Sequence, residues 1–274
     1  MGSELRAALA IARKDLRQLS RYRLSVASMV FNPLYQGIIP AFLFGASFAV
    51  GGRQLGLASS LGTEDLSGFI FMGGVISSVV SVAFWMIAFQ LRVEMDMGTL
   101  EPVWLTPTRR ETIVIGRAIM GLGLLLFTQG VLFAIGIAFF GLRFRPETAW
   151  ALPAVLVTVL AMTGMGFLIA AVVLVVKEAN FLVDTLNFLV GVLAGAAFPV
   201  TALPFALQIV AFGLPMTWST EILRYNAIGA RPLADPLIEH LALAVSTVAL
   251  LALGVWAFRA ADRYVGRHGT VGQY

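Results

Sequence analysis

The sequence predicts an all-α polytopic membrane protein. It expects six transmembrane helices, an amphipathic interfacial helix at the N-terminus, and a re-entrant helical hairpin in the outer leaflet before the last span. Three observations carry that expectation. Of the 274 residues, 59% are apolar and 12% charged, with a mean hydropathy of +0.88, whereas soluble domains carry about 25% charged residues. Apolar runs of about 20 residues recur, long enough to cross a hydrocarbon core about 30 Å thick. The polar segments between them are short, so residues 1–274 read as one transmembrane domain.

The same composition removes several function classes. Cysteine is absent and only His240 and His268 offer imidazole, which leaves no disulfide framework and no Cys/His metal site. No Ser/His/Asp set suits a hydrolase, since one histidine lies in the tail and the other at the outer mouth of the last span. No catalytic residue is assigned and no metal is expected. The net charge of +4 is explained by arginines held at one membrane face, and nucleic acid is not expected as a partner.

Residues 1–24 read as the interfacial helix. Leu5, Ala8, Leu9, Ala12, Leu16 and Leu19 form an apolar face, while Arg6, Arg13, Lys14, Arg17, Arg21 and Arg23 lie mostly elsewhere on the wheel, the pattern of a helix lying in the headgroup region. The run starting near Ser25 is too late and too long for a cleavable signal peptide. The spans follow at about 26–50, 66–90, 112–140, 150–176, 181–198 and 238–258. Pro33 and Pro40 in the first are tolerated as kinks when neighbouring helices satisfy the freed carbonyls. Gly73, Ser77 and Ser81 in the second span and Gly191 and Gly195 in the fifth form small-residue stripes for close helix packing, within one copy or between two.

Orientation follows from Lys and Arg. With both termini cytoplasmic, fourteen of the nineteen lie in inside segments and five, Arg53, Arg143, Arg145, Arg224 and Arg231, in outside ones; this asymmetry sets the topology. Residues 199–236 form the hairpin: the apolar run 202–214 is too short to span and is bracketed by Pro199, Pro204 and Pro215. Glu221 and Arg224 stand three apart and are expected to form a structural ion pair. Charges in the spans are otherwise few and cluster at Lys177, Glu178 and Asp184, with a salt bridge expected at Asp184 in preference to a proton relay. Phe84, Phe89, Phe188 and Asn187 are candidates for a sparse substrate path, with Thr185 as a further polar neighbour.

The stretch organising the rest is 92–117, the longest polar interruption, with a cytoplasmic loop at 91–111. It runs through Gly98, Thr99, Leu100 and Glu101, then Thr106 and Pro107, then Arg109 and Arg110. Gly98 and Thr99 suit a helix start, Glu101 its positive first turn and Pro107 its stop. No phosphate-binding loop exists, because the only lysines, Lys14 and Lys177, follow no glycine-rich turn; the chain is not expected to be an enzyme.

At Gly98-Thr99-Leu100-Glu101, Leu105-Thr106-Pro107 and Gly116-Arg117 the chain resembles the membrane subunits of ABC exporters of the ABC-2 type. The likeness extends to the N-terminal helix, six spans and the pattern Phe198-Pro199, Leu203-Pro204, Leu214-Pro215, Glu221 and Arg224. It implies a half-transporter in the plasma (inner) membrane of a prokaryote, pairing with a second permease copy, identical or related. Gly98 to Arg110 would dock as a coupling helix on a separate nucleotide-binding subunit, which binds ATP and magnesium, with Glu101 at the contact. This chain itself holds no cofactor. The cargo is expected to be lipophilic or amphipathic, drug-like or lipid-like, since uncompensated charge is costly to bury. Polysaccharide or glycolipid export, an ion-coupled secondary carrier and a non-transporting scaffold remain alternatives, although no inverted repeat is visible.

The charge count yields a labelling pattern. Single cysteines introduced at Arg53 and Arg145 should react with an impermeant maleimide in intact cells, and one at Arg109 only after permeabilisation; the reverse pattern would invert the topology.

Overall fold

The computed structural model describes residues 2–21, 24, 27, 31, 39, 43, 49–50, 53–54, 62–63, 65–84, 94, 97–98, 102, 110–176 and 180–268. Helices dominate: α1 (Gly2–Arg21), α2 (Leu66–Ala83), α3 (Arg110–Phe140), α4 (Leu152–Val176), α5 (Asn180–Leu193), α6 (Phe205–Gly213), α7 (Pro215–Ile228) and α8 (Pro236–His268). Short 3-10 turns at Pro146–Ala151 and Val200–Ala202 precede α4 and α6. Ala49–Val50 and Arg53–Gln54 form a two-stranded antiparallel ladder, Ala49 opposite Gln54 and Val50 opposite Arg53.

Three helical stretches among the described residues are long and apolar enough to cross a bilayer: Arg110–Phe139, Pro146–Val176 and Pro236–Arg267. They match the third, fourth and last expected spans. The first expected span lies largely outside the described residues, as does the end of the second, beyond α2. The fifth is shorter than expected. Helix α5 stops at Leu193 because Gly195 turns left-handed, with φ of 69°, and Pro199 follows. At 14 residues it rises about 21 Å, less than a hydrocarbon core.

Packing is organised by two close pairs. Helices α4 and α8 run against each other over most of their length, with Gly164 facing Gly254. A Cβ built on Gly254 would sit 2.1 Å from the Gly164 carbonyl oxygen. Helix α1 lies along the start of α3, pressing Ala8 and Ala12 onto it. Between α2 and α3 the rings of Phe71, Phe133 and Phe144 meet at 5.2–5.5 Å, and Gln129 donates to the Ser78 hydroxyl. The two small-residue stripes meet inside this one chain: Gly73 abuts the Ala196 backbone, Gly191 lies beside the Ser77 hydroxyl, and Ser81 donates to the Asn187 side chain at 3.0 Å.

The region 199–236 holds two short helices, as the proline brackets suggest, but they differ sharply. Helix α6 leaves Phe205, Leu207, Ile209 and Val210 exposed, whereas α7 buries nearly its whole length, polar residues included. Helix α7 packs on α2, α8 and the first 3-10 turn. It ends at Gly229, left-handed with φ of 68°.

The α4–α8 crossing leaves no room for a side chain on either glycine. Gly254→Val should force the helices apart and destabilise by about 1–3 kcal/mol as overpacking, seen as a lowered Tm in detergent. Gly266→Val, where no atom lies near, should change it little; equal shifts would refute the crossing.

Candidate functional site

The N-terminal turns of α3 are tied to other elements by charged and polar side chains. Arg110 pairs with Asp262 near the end of α8. The Glu111 carboxylate accepts from Arg259 Nε at 2.8 Å. Thr112 donates its hydroxyl proton to Glu4 of α1 at 2.5 Å. One turn deeper, Arg117 is 1% exposed and pairs with Glu94, itself 6% exposed. Lys14 of α1 closes the set, with Nζ donating to Glu94 at 2.8 Å and lying 3.3 Å from Asp15.

The electrostatics follow from this crowding. Burial pushes the Glu94 carboxyl up, but the charges of Arg117 and Lys14 outweigh burial and hold it below its ordinary value. Burial lowers Lys14, and the adjoining Glu94 and Asp15 more than reverse this, so it stays charged above its usual range. Asp15 goes up, because burial there exceeds the help it receives from Lys14 and Arg117. Beside the cluster, Arg117, Val79, Ala118, Gly121, Val159 and Met162 line a cavity of about 20 Å³, room for about one water.

Helix α1 divides into three sectors. Ala8 and Ala12 face α3, Leu5, Leu9 and Leu16 are exposed beside them, and Arg6, Arg13 and Arg17 occupy the remaining arc. Gly116 fits this contact, its Cα position facing the Ala8 carbonyl closely.

Of the expected coupling residues, Thr99, Leu100, Glu101, Thr106, Pro107 and Arg109 lie outside the described residues. Gly98 is exposed with φ of 65°. That left-handed conformation belongs to a turn or to the residue after a helix end, so Gly98 does not take the extended backbone of an N-cap. Arg110, expected in the loop, opens α3.

The remaining candidates separate. Arg224 and Glu221 are brought together at 3.2 Å. Arg224 also donates from Nε to the Phe69 carbonyl at 3.2 Å and from Nη2 to those of Gly195 and Ala196 at 2.8 and 2.9 Å. Its guanidinium lies 3.4 Å over the Phe69 ring. It is fully buried, so it is not a loop charge as the topology count treats it. The suggested path residues differ in their surroundings. Phe84 is buried in the core, Asn187 is engaged by Ser81, Phe188 is exposed, and Phe89 lies outside the described residues. Lys177 and Glu178 lie outside them too.

The cluster of Lys14, Glu94 and Arg117 was not visible as a unit in the sequence. One signal pointed to it: Arg117 stands inside the apolar run assigned to the third span, and a charge there demands a partner.

A family model described as ABC-2 type transporter matches residues 6–228, from α1 to the last turn of α7. No curated protein matches the chain.

Glu94 neutralises a guanidinium that is 1% exposed. Glu94→Gln should destabilise by about 3–5 kcal/mol at pH 7, the scale for stranding a buried charge. Because the Glu94 pKa is depressed on folding, its contribution is present above the ordinary carboxylate pKa and is lost as pH falls through the folded value. The gap in Tm between wild type and variant should therefore close towards acid; a pH-independent gap would contradict the pairing.

Proposed function

Because the chain belongs to the ABC-2 type transporter family, we propose that it is the transmembrane subunit of an ATP-driven exporter moving a lipophilic or amphipathic substrate outward. The observation that carries this is the family match across α1 to α7, joined to the way the polar stretch 98–110 is held at both flanks. Ahead of it, Glu94 is paired to α1 through Lys14 and to α3 through Arg117. Behind it, Arg110 is paired to α8 through Asp262.

In this reading the segment from Gly98 to Arg110 is the coupling element, and a separate nucleotide-binding subunit with ATP and magnesium docks on it. Glu101 is the motor contact. A push on that segment is passed to α1, α3 and α8 by the flanking ion pairs, with no need for new bonds. Helix α1 lies in the interface, its exposed leucines among acyl chains and its arginines at phosphates. Both termini are then cytoplasmic, the membrane is the prokaryotic plasma membrane, and α6 with α7 forms the hairpin in the outer leaflet.

Two copies complete the transporter. Helix α5 is docked on α2 by one face and exposes Phe181 and Phe188 at 72% and 70% on the other; that face lines the route between the copies. Export of amphiphiles suits an exposed aromatic face more than an ion-coupled carrier does, since the buried carboxylates among the described residues, Glu94, Glu221 and Glu239, all accept from protein donors.

Glu101→Arg should leave dimers intact and ATP hydrolysis by the partner subunit running, while vesicle transport falls by an order of magnitude or more, as expected when a force-bearing contact is lost. Unchanged transport would remove Glu101 from the coupling role.

A further inference from the structure

Helix α5 (Asn180–Leu193) carries a carboxylate where a bilayer gives it no partner. Asp184 lies in its second turn and is exposed. Its side chain makes no hydrogen bond or ion pair among the described residues. Phe181 and Phe188, three residues before and four after, share its face and are well exposed. Thr185 sits beside them, half-buried. The adjoining face is fixed: Asn187, three residues on, accepts from Ser81 at 3.0 Å, and Val190 is buried. Rotation of α5 that would hide Asp184 would break that docking.

Three things could cover this face. Lipid is the least favourable, because acidic side chains in membrane helices turn to protein or water. A second copy related by a two-fold axis would present the same patch to itself, setting carboxylate towards carboxylate. That arrangement is repulsive unless positive charge lies between them. The remaining occupant is a cargo that brings the positive charge and has apolar groups for the flanking rings.

We infer that Asp184, between Phe181 and Phe188, recognises the charged end of a lipophilic cation. The carboxylate supplies the counter-charge, and the phenyl faces take the cation's apolar substituents and its edge charge. Asp184 lies about 6 Å from the first residue of α5, at the membrane side where the charge asymmetry puts the cytoplasm. That is the depth at which the head of an inner-leaflet amphiphile lies. The assignment of the cation as cargo rests on the exporter reading above and narrows its substrate class.

The test is equilibrium dialysis of the purified full chain in dodecyl maltoside, which carries no ammonium group, against tetraphenylphosphonium and the uncharged triphenylphosphine oxide. Wild type should bind the cation. Asp184→Asn should weaken it about tenfold, the scale of one lost charge contact, and leave the oxide unchanged. Asp184→Glu should restore most of the affinity, and Phe188→Ala should weaken the cation partially. Matching elution profiles and Tm values identify variants that remain folded, and Asp184→Glu keeps the charge arm readable in any case. No binding of the cation by wild type, equal weakening of both probes, or an unaltered Asp184→Asn would overturn the inference. Loss of cation binding in Lys177→Gln equal to that in Asp184→Asn would also overturn it, by assigning Asp184 to an ion pair with Lys177. Binding needs no ATPase, so its failure leaves the exporter reading standing. Failure of ATP-driven efflux with the nucleotide-binding subunit, with cation binding intact, would sink that reading alone.

Discussion

Arg224 has no water to turn to, and most of the fold at one end of the bundle is arranged around that fact. A buried guanidinium left without acceptors is unfavourable by several kcal/mol, so five donors must find oxygens in protein. The structure supplies three backbone carbonyls, from Phe69, Gly195 and Ala196, and one carboxylate from Glu221. Those carbonyls belong to the first turn of α2 and to the turn that ends α5. One side chain of α7 therefore fixes where α2 begins and where α5 stops. The left-handed Gly195 and the early end of α5 are consequences of this clamp as much as of local propensity, since the turn must aim two successive carbonyls at one guanidinium.

This explains why α7 could be placed by sequence and yet misjudged. Its proline bracket, its length and the spacing of Glu221 and Arg224 were legible, because each is a local signal. Its centrality was not, because the Thr, Ser, Glu and Arg residues that look like surface are buried here. Thr217 donates to the Ala211 carbonyl at 2.7 Å and Thr220 to that of Met216 at 2.8 Å. Such bonds to backbone carbonyls, within α7 or from the end of α6, let a polar sequence pack in an apolar interior. The same limit applies to Arg117. Its type and position were plain, but only tertiary contact turns a presumed loop charge into the buried partner of Glu94. The long spans at α3, α4 and α8 were legible because hydropathy over 20 or so residues leaves a chain few other options. For the candidate site, the sequence marked the stretch 92–117 and its two outer arginines. It could not mark Lys14, which comes from 80 residues away.

The two polar centres differ in kind. Around Arg224 three of the four acceptors are backbone carbonyls of packed elements, so the contact cannot be exchanged without moving a helix end. At the N-terminal end of α3 the contacts run between side chains: Lys14 is half in solvent, Arg110 and Asp262 are partly exposed, and Arg259 is well exposed. Exposed pairs contribute roughly 0–1 kcal/mol each, while the Arg117–Glu94 contact is held by its burial. The N-terminal end of α3 thus combines one contact that is costly to break with several that are easily remade.

That combination suits an element through which motion enters. If all ties at this end were as deep as that of Arg224, a displacement of the stretch before Arg110 would have to unfold a helix end to propagate. If none were, the stretch would slide over α3 without moving it. In the coupling role proposed above, Glu94 grips Arg117 in the interior and draws α1 and α3 along, while the outer pairs to α8 are free to re-form. The α4–α8 pair, interlocked at Gly164 and Gly254, has no comparable freedom. On that reading α1 and α3 are the elements that move beside this pillar, while the Arg224 contacts tie α2, α5 and α7 together.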